Sequence, residues 1–383
     1  MTIVAVVWFG WFTIMFNRMI IPPLLPLIEA RYHATYAEAG LLVSGYMISY
    51  AVSQSISGRV VERFGEKKPI VIGIFLSSLF TALMVLVGSL YHMVVLRVLT
   101  GLLAGFFFVP STLLMTTRIP VEERGRKMGI AMTGGSIATV LLYLLTGTFL
   151  GVLPDWSYIF LISASLGISF AAYVQKSLSE GRREQRLEEE FPSSRENQSK
   201  LTAVLLSRGI FLVLLYATFT SLASWSLSTF LLSFLVSGRQ LPFSTASFFL
   251  ALSSFAAIAG PLLSGALKDR FGAKIPMLLS SLSAASVVVL IQFSPLGFPM
   301  VIIFAIWGLL SGAWWLATTV LVTELSPPKL RPRVLGIYNL TVFVGGFVGP
   351  LISGETIDVI GFRGFFALAL ILYLAAAFTA TRF

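Results

Sequence analysis

Apolar runs about twenty residues long, separated by short polar stretches, repeat along the whole chain. A helix needs about 20 apolar residues to cross a bilayer. The pattern predicts twelve spans, at 4–28, 37–57, 70–89, 91–116, 128–151, 157–177, 206–236, 244–264, 276–293, 298–323, 335–358 and 364–381. Segment length decides for helices: an outer-membrane barrel would show roughly ten-residue alternating segments, and none occur. Of the 383 residues 56% are hydrophobic and 11% charged, too apolar for a soluble core, where about a quarter of residues are charged. The expected fold class is therefore an all-α integral membrane protein with no room for a sizeable soluble domain. The opening MTIVAVVWFGWF lacks the basic flank of a cleaved signal and reads as the first span.

Charge sets the orientation. Of the 27 Lys and Arg, only Arg31, Arg239 and Arg363 fall in one set of loops, and Arg18 and Arg97 fall inside spans. The rest lie in the opposite loops or at their helix ends. The positive-inside rule puts both termini in the cytoplasm, in a multi-pass protein of the plasma membrane. The net charge of +10 reflects that topology and the lipid bilayer, with no nucleic-acid partner. The chain has no cysteine and only His33 and His92, so no metal site, cofactor or catalytic residue is expected.

The longest polar stretch, at 178–205, is a mixed-charge linker, partly helical before Pro192. It separates an N-terminal six-helix bundle, 1–177, from a C-terminal one, 206–383. The halves are copies. Ser57, Gly58, Arg63, Phe64, Gly65, Lys67 and Pro69 recur 207 residues later as Ser264, Gly265, Arg270, Phe271, Gly272, Lys274 and Pro276, and Glu62 becomes Asp269. The same offset pairs Gly101 and Gly105 with Gly308 and Gly312. It also pairs Pro120, Arg124 and Arg126 with Pro327, Arg331 and Arg333. One offset held over about seventy residues means duplication. Six helices per copy makes the repeats parallel, an arrangement that transporters use around a mid-membrane substrate site.

These residues carry a resemblance. Gly58-x-x-x-Glu62-Arg63-x-Gly65-x-Lys67 resembles the loop 2–3 signature of the major facilitator superfamily, and Gly265-x-x-x-Asp269-Arg270-x-Gly272-x-Lys274 resembles its second-half echo. Arg97-x-x-x-Gly101-x-x-x-Gly105 resembles its helix-4 signature. The resemblance spans the chain and implies two parallel six-helix bundles working as a monomer by alternating access. Gly58 and Gly265 are expected where helices approach closely. Glu62 and Asp269, pairing with Arg63, Arg124 or Arg270, and with Gly65, Gly272 and Arg331 nearby, are expected to form a gate made in one state and broken in the other.

The two arginines inside spans point to chemistry. They lie about 15 Å and about 9 Å from the outer helix ends. An arginine facing lipid at the helix centre costs at least about 2.5–3.5 kcal/mol, so both are expected to face a cavity or a protein partner. No Asp or Glu sits mid-span to pair with them, and an anionic substrate would supply the counter-charge through a bidentate fork. The other reading is a structural arginine held by main-chain carbonyls.

FNRMIIPPLLPLIEARY, followed by Gly40, Ser44, Tyr50 and Gln54, is similar to the anion:cation symporter branch of the superfamily. That branch carries organic anions and has arginines in helices 1 and 4, where Arg18 and Arg97 stand. It often has one acid just before the helix-1 arginine and another two turns along helix 4 from its arginine; here Asn17 and Ala104 occupy those positions. Proton coupling, another coupling ion and uniport therefore all stay open.

Further candidate substrate contacts are Asn17, Tyr50 and Gln54, Trp225 in the hydroxyl-rich seventh span, and Asn339. Gly260-Pro261 and Gly349-Pro350 read as bends or close-packing points. The alternative function is export of lipophilic compounds. The stretch 134–147 within the fifth span lacks the proline of the exporters' Gly-Pro signature, which counts against it. The sequence thus points to a secondary transporter of a small organic anion, a carboxylate by the arginine chemistry, and not to an enzyme.

Overall fold

A computed structural model describes residues 3–149, 155–178, 201–311, 313–328 and 330–383. The predicted linker falls largely outside the described residues, as does Gly312. The helices are α1 (Ile3–Arg18), α2 (Ile21–Tyr32), α3 (Tyr36–Phe64), α4 (Lys67–Leu83), α5 (Leu90–Ala104), α6 (Phe108–Arg118), α7 (Val121–Phe149) and α8 (Tyr158–Ser177). They continue as α9 (Arg208–Ser233), α10 (Phe243–Ala256), α11 (Gly260–Phe271), α12 (Lys274–Phe293), α13 (Phe298–Ser311), α14 (Ala313–Leu325), α15 (Arg331–Ile360) and α16 (Phe362–Thr381).

Several spans are broken pairs. α1 and α2 form one span, as do α5 with α6, α13 with α14, and α10 with α11, the last bent by 40°. That bend sits at the predicted Gly260-Pro261, where the proline opens α11 and its missing N–H costs nothing. Gly349 is instead a close-packing point: a Cβ there would press on the Leu222 carbonyl at 2.7 Å, and α15 runs through Pro350 unbroken. Among the described residues ten helical segments are apolar enough to span, and the bent pair makes eleven. The twelfth is α3, 29 residues long. Its Ser44, Ser49, Ser53, Ser55 and Ser57 lower its hydropathy; Ser49, Ser53 and Ser55 return their hydroxyls to carbonyls of their own helix. Large side chains such as Leu86, Leu262, Phe293 and Phe298 stand at least three-quarters exposed, a surface suited to lipid.

The signature expected as a loop is mostly helix. α3 runs through Phe64 and α11 through Phe271, leaving Gly65-Glu66 and Gly272-Ala273 as the turns. Gly65 has φ 77° and Gly272 φ 76°, a region that only glycine enters cheaply. Each glycine N–H caps the carbonyl four residues back, Val61 and Lys268, at 2.8 Å. Chain reversal at both places is therefore one repeated device.

Packing repeats as well. A Cβ on Gly101 would overlap the main chain of Tyr46 in α3, and one on Gly308 would overlap that of Ser253, the residue 207 positions after Tyr46. Shallow apolar grooves repeat too. Leu83, Leu86, Val87, His92, Val95 and Leu96 line one of about 350 Å³. Leu290, Phe293, Ser294, Pro299, Ile302 and Ile303, each 207 residues on, line another of about 430 Å³. Gly58 corrects an expectation: a Cβ there meets nothing within 4 Å, and one on Gly265 meets only Leu316 at 3.9 Å. Both glycines lie in the last two turns of their helices. The small residue that packs is the preceding serine. Ser57 and Ser264 are wholly buried, and Ser264 donates to the Ala313 carbonyl at 2.7 Å.

By contacts the chain forms two compact units, 1–187 with 229–251, and 188–228 with 252–383. The stretch 229–251 thus groups with the first unit and not with the rest of 206–383. Ser233 donates to Glu29 at 3.2 Å, Phe230 meets the Tyr36 ring edge-on at 6.0 Å, and Ser247 lies against Gly147. Within the first unit α1 packs on α7, α3 on α5 and α4 on α8. A capping box opens α3, with Glu38 N–H donating to Thr35 Oγ1 and Thr35 N–H to Glu38. Arg31 pairs with Asp155 at 3.0 Å and lies over Trp156. The second unit is built on Val213, Tyr216, Met277, Trp314, Val334 and Tyr338.

Two outcomes are expected for detergent-solubilised protein. Gly101→Ala should lower stability by about 1–3 kcal/mol through overpacking, whereas Gly58→Ala should stay within about 0.5 kcal/mol; thermal melting decides. The Ser157 N–H, with Arg31 behind it, holds the Asp155 carboxyl below the usual carboxylate range. The resulting stability is present above the unfolded-state pKa and lost as pH falls through the lower folded one. Both side chains are more than a third exposed, so Asp155→Asn should cost under about 1 kcal/mol at pH 7. That difference should vanish in melts at strongly acidic pH.

Candidate functional site

α1 stops at Arg18 because two prolines come soon after it. Pro22 and Pro23 open α2. A proline has no N–H for the carbonyl four residues back, so Pro22 leaves the Arg18 carbonyl without its helical donor. Arg97 of α5 fills that need. Its Nη2 donates to the Arg18 carbonyl at 3.1 Å, its Nη1 to that of Asn17 at 3.0 Å, and its Nε to that of Leu42 in α3 at 3.2 Å. The side chain is fully buried. In this structure Arg97 therefore faces main chain and not a cavity, the second of the two readings its position allowed. The sequence signal for this was Pro22, four residues after Arg18.

Arg18 is placed differently. It too is buried, at 7% exposure. Yet its Nε and Nη2 are sealed from water with no hydrogen-bond acceptor among the described residues. Its Cζ lies 4.1 Å from the centroid of the Tyr50 ring and 5.9 Å from that of Tyr46. Tyr46 and Tyr50, one turn apart on α3, stack with centroids 5.9 Å apart and planes 14° from parallel. The Cζ of Arg97 lies 4.4 Å from the Tyr46 centroid. Two guanidinium groups thus share one aromatic pair, a contact worth roughly 0.5–2 kcal/mol each. Tyr46 was not singled out from the sequence; its spacing of four from Tyr50 was the available signal.

Asn17 completes the cluster. Its Nδ2 donates to Thr81 Oγ1 of α4 at 2.5 Å, and Thr81 donates onward to the Ser77 carbonyl at 2.8 Å. Its Oδ1 is buried without a partner. Gly101 and Gly105 allow this assembly: α5 lies so close on α3 that a Cβ on either would meet the Tyr46 or Tyr50 carbonyl. Asn17, Arg18, Tyr50 and Arg97 are therefore brought together, with Tyr46 at the centre. Gln54, one turn beyond Tyr50, is half-buried and makes no hydrogen bond with a described residue.

The other predicted residues lie elsewhere. Trp225, half-buried in α9 of the second unit, stands 207 positions after Arg18, so the repeat puts an indole where the first half has a guanidinium. Neighbouring hydroxyls are mostly spent locally: Thr218, Ser221 and Ser226 bond to their own helix, and Ser224 meets Tyr373. Asn339 is half-buried in α15. At the expected gate Glu62 and Asp269 are exposed and form no ion pair among the described residues. Arg63 and Arg270 lie over their neighbouring phenylalanines, and Arg124 donates to the Ile119 carbonyl at 2.8 Å. Arg331 keeps a buried Nε without a partner. Ion pairs at these helix ends include Glu66 with Arg118 at 3.2 Å and Glu324 with Lys268 at 2.6 Å.

The family model described as Major Facilitator Superfamily matches residues 7–267 and 214–383. The chain belongs to that superfamily. It is a transporter and not an enzyme. Among the curated proteins it is similar to the Cupriavidus necator protein named "Probable sulfoacetate transporter SauU", 26% identical over 93% of this chain and 87% of that one. It is also similar to the cis,cis-muconate transport protein of Acinetobacter baylyi, 24% identical over 94% of this chain and 88% of that one. The crystal structure of the nucleoside transporter NupG aligns with all of this chain and 98% of its own, with a TM-score of 0.80 at 12% identity, a likeness of fold.

The two arginines should separate on mutation. Arg97→Leu leaves buried carbonyls without their donors and should cost about 3 kcal/mol or more. Arg18→Met removes a charge that no acceptor satisfies, at the loss of its ring contacts, and should cost less than about 1 kcal/mol. Melting temperatures of the two variants, read side by side, check this.

Proposed function

We propose that the protein is a secondary transporter of a small organic anion, bound through its carboxylate by Arg18. The observation that carries this is a buried guanidinium with two nitrogens free of any acceptor and no buried Asp or Glu among the described residues. A charge kept unpaired inside a membrane protein is a functional group by default, and a carboxylate fits its fork. Tyr50 orients the guanidinium face-on, Asn17 Oδ1 is left to accept from a substrate hydroxyl, and Arg97 is a positioning residue that fixes the break carrying Arg18. Gln54, Trp225 and Asn339 are proposed as further contacts. Relatives named for sulfoacetate and cis,cis-muconate support an anion as cargo.

The moving halves are proposed as 1–177 and 206–383, in a monomer of the cell membrane with both termini cytoplasmic, as the basic loops favour. Glu62 and Asp269 are proposed as gate acids that pair only in another conformation.

The test is a ligand-dependent melting screen of purified protein against sulfoacetate, cis,cis-muconate, sugar acids, neutral sugars and lipophilic cations. Binding to the folded state adds about 2.7 kcal/mol at a hundred times Kd. Carboxylates should raise the melting temperature in wild type and fail to do so in Arg18→Gln. Shifts from lipophilic cations alone, untouched by that substitution, would replace this reading with an exporter.

A further inference from the structure

We propose that the second unit carries a binding site for an anionic phospholipid, built by Arg208, Lys274 and Arg382 at the helix ends that the basic loops favour as cytoplasmic. Nothing in the reading of Arg18 bears on it. Three chain segments meet here: Arg208 opens α9, Lys274 opens α12, and Arg382 follows α16. The Lys274 Nζ donates to the Thr381 carbonyl at 3.0 Å, and the Arg208 Nη2 donates to the Arg382 carbonyl at 3.4 Å. Two neighbouring carbonyls at the end of one helix thus gather two cations beside a third.

Cations near a helix C-terminus are common, because they satisfy its last carbonyls and complement its dipole. Capping uses little of what is gathered here. Each of the two donors gives one N–H to α16, of three on a lysine and five on an arginine. All three side chains are exposed, and among the described residues none of them forms an ion pair. The duplication supplies a comparison. The positions 207 residues earlier are Met1, Lys67 and Gln175, one cation in place of three. Among the described residues neither Lys67 nor Lys176, beside Gln175, makes a hydrogen bond. Both copies obey the same positive-inside rule, which asks for basic residues in a loop and not for their convergence on one helix end. The convergence belongs to the second copy.

Apolar surface continues from the cations. Ile371, Leu374 and Phe378 of α16 stand 48–63% exposed. Their spacing of three and four puts them on one face. Arg382 is the next step along that face, with its Cζ 4.7 Å from the centroid of the Phe378 ring. α12, which packs on α16, exposes Leu279 and Leu282 in the turns that follow Lys274. Charge at the helix ends with hydrocarbon alongside matches a phosphate headgroup joined to an acyl chain. Basic pockets between membrane helices hold anionic headgroups in this way. A soluble anion would use only the charged end, and an acidic protein would leave the apolar face uncovered.

Native mass spectrometry of the purified full chain in detergent counts bound lipid, with phosphatidylglycerol and phosphatidylcholine of identical acyl chains added in turn. A micelle has no sides, so the result does not depend on the membrane orientation. A basic residue near an anionic headgroup contributes about 1 kcal/mol, about fivefold in binding. Phosphatidylglycerol should therefore bind at least about tenfold more tightly than phosphatidylcholine. Arg208→Gln, Lys274→Gln and Arg382→Gln should each weaken it by about fivefold, and the triple variant should bring it close to phosphatidylcholine. Lys67→Gln removes an isolated, screened charge and should change it by less than about twofold. The charge-keeping triple Arg208→Lys, Lys274→Arg, Arg382→Lys should retain the preference. Equal loss in both triples would assign the effect to a disturbed helix end and overturn the site. So would the absence of a preference in wild type, or a preference that the Gln triple leaves intact. Full displacement of phosphatidylglycerol by millimolar inorganic phosphate would show that the helix ends hold a soluble anion and would overturn a lipid as the occupant.

Discussion

The guanidinium of Arg97 organises the first half of this protein. It sits where α1 has been interrupted by Pro22 and reaches three carbonyls on two chain segments at 3.0–3.2 Å. In hydrocarbon a main-chain group has no water to turn to, so a broken span survives only where something inside the protein satisfies it. Here a side chain from a third segment does so. The arrangement requires α5 to lie against α3 with no side chain between, and Gly101 and Gly105 provide that surface. The break, the arginine and the glycines form one structural unit, and Arg18 is held at its edge.

From this unit the functional character of the cluster emerges. Two cations lie in one buried region, yet they are not equivalent. One is spent on backbone and becomes part of the scaffold. The other keeps an Nε and an Nη2 that nothing among the described residues accepts, and its Cζ lies 4.1 Å from the centroid of the Tyr50 ring. On the function proposed for Arg18, such a cation is pre-organised for an anion: the cost of desolvating it has been met in folding, so a ligand need not supply it. The second half of the chain repeats the helices, the turn glycines and the close approach at Gly308, but has Trp225 and Phe304 where the first half has Arg18 and Arg97. The duplication therefore preserved the scaffold and confined the charge to one copy.

The sequence by itself determined the spans, the duplication, the glycines at the turns and the presence of two arginines with no acid beside them. These are one-dimensional properties, set by hydropathy over twenty residues, by a constant offset and by the absence of a residue type. It also misplaced some detail. The signature residues 57–64 read as a loop because they are polar, yet a polar helix end that leaves the bilayer keeps its hydrogen bonds, and only a glycine at positive φ stops it. Gly58 read as a contact because small residues pack helices in membranes, but near a helix end there was no neighbour to receive it.

Only the tertiary structure decided which arginine is spent on main-chain carbonyls and which keeps donors without an acceptor among the described residues. Both are buried, both lie inside spans and both touch the same tyrosine, so composition and depth treat them alike. The difference is which carbonyls come within hydrogen-bonding reach, and that depends on the direction of the break after Arg18 and on how closely α5 approaches α3. A hydrogen bond is lost within about half an ångström of extra distance, and no pattern along the chain carries information at that scale.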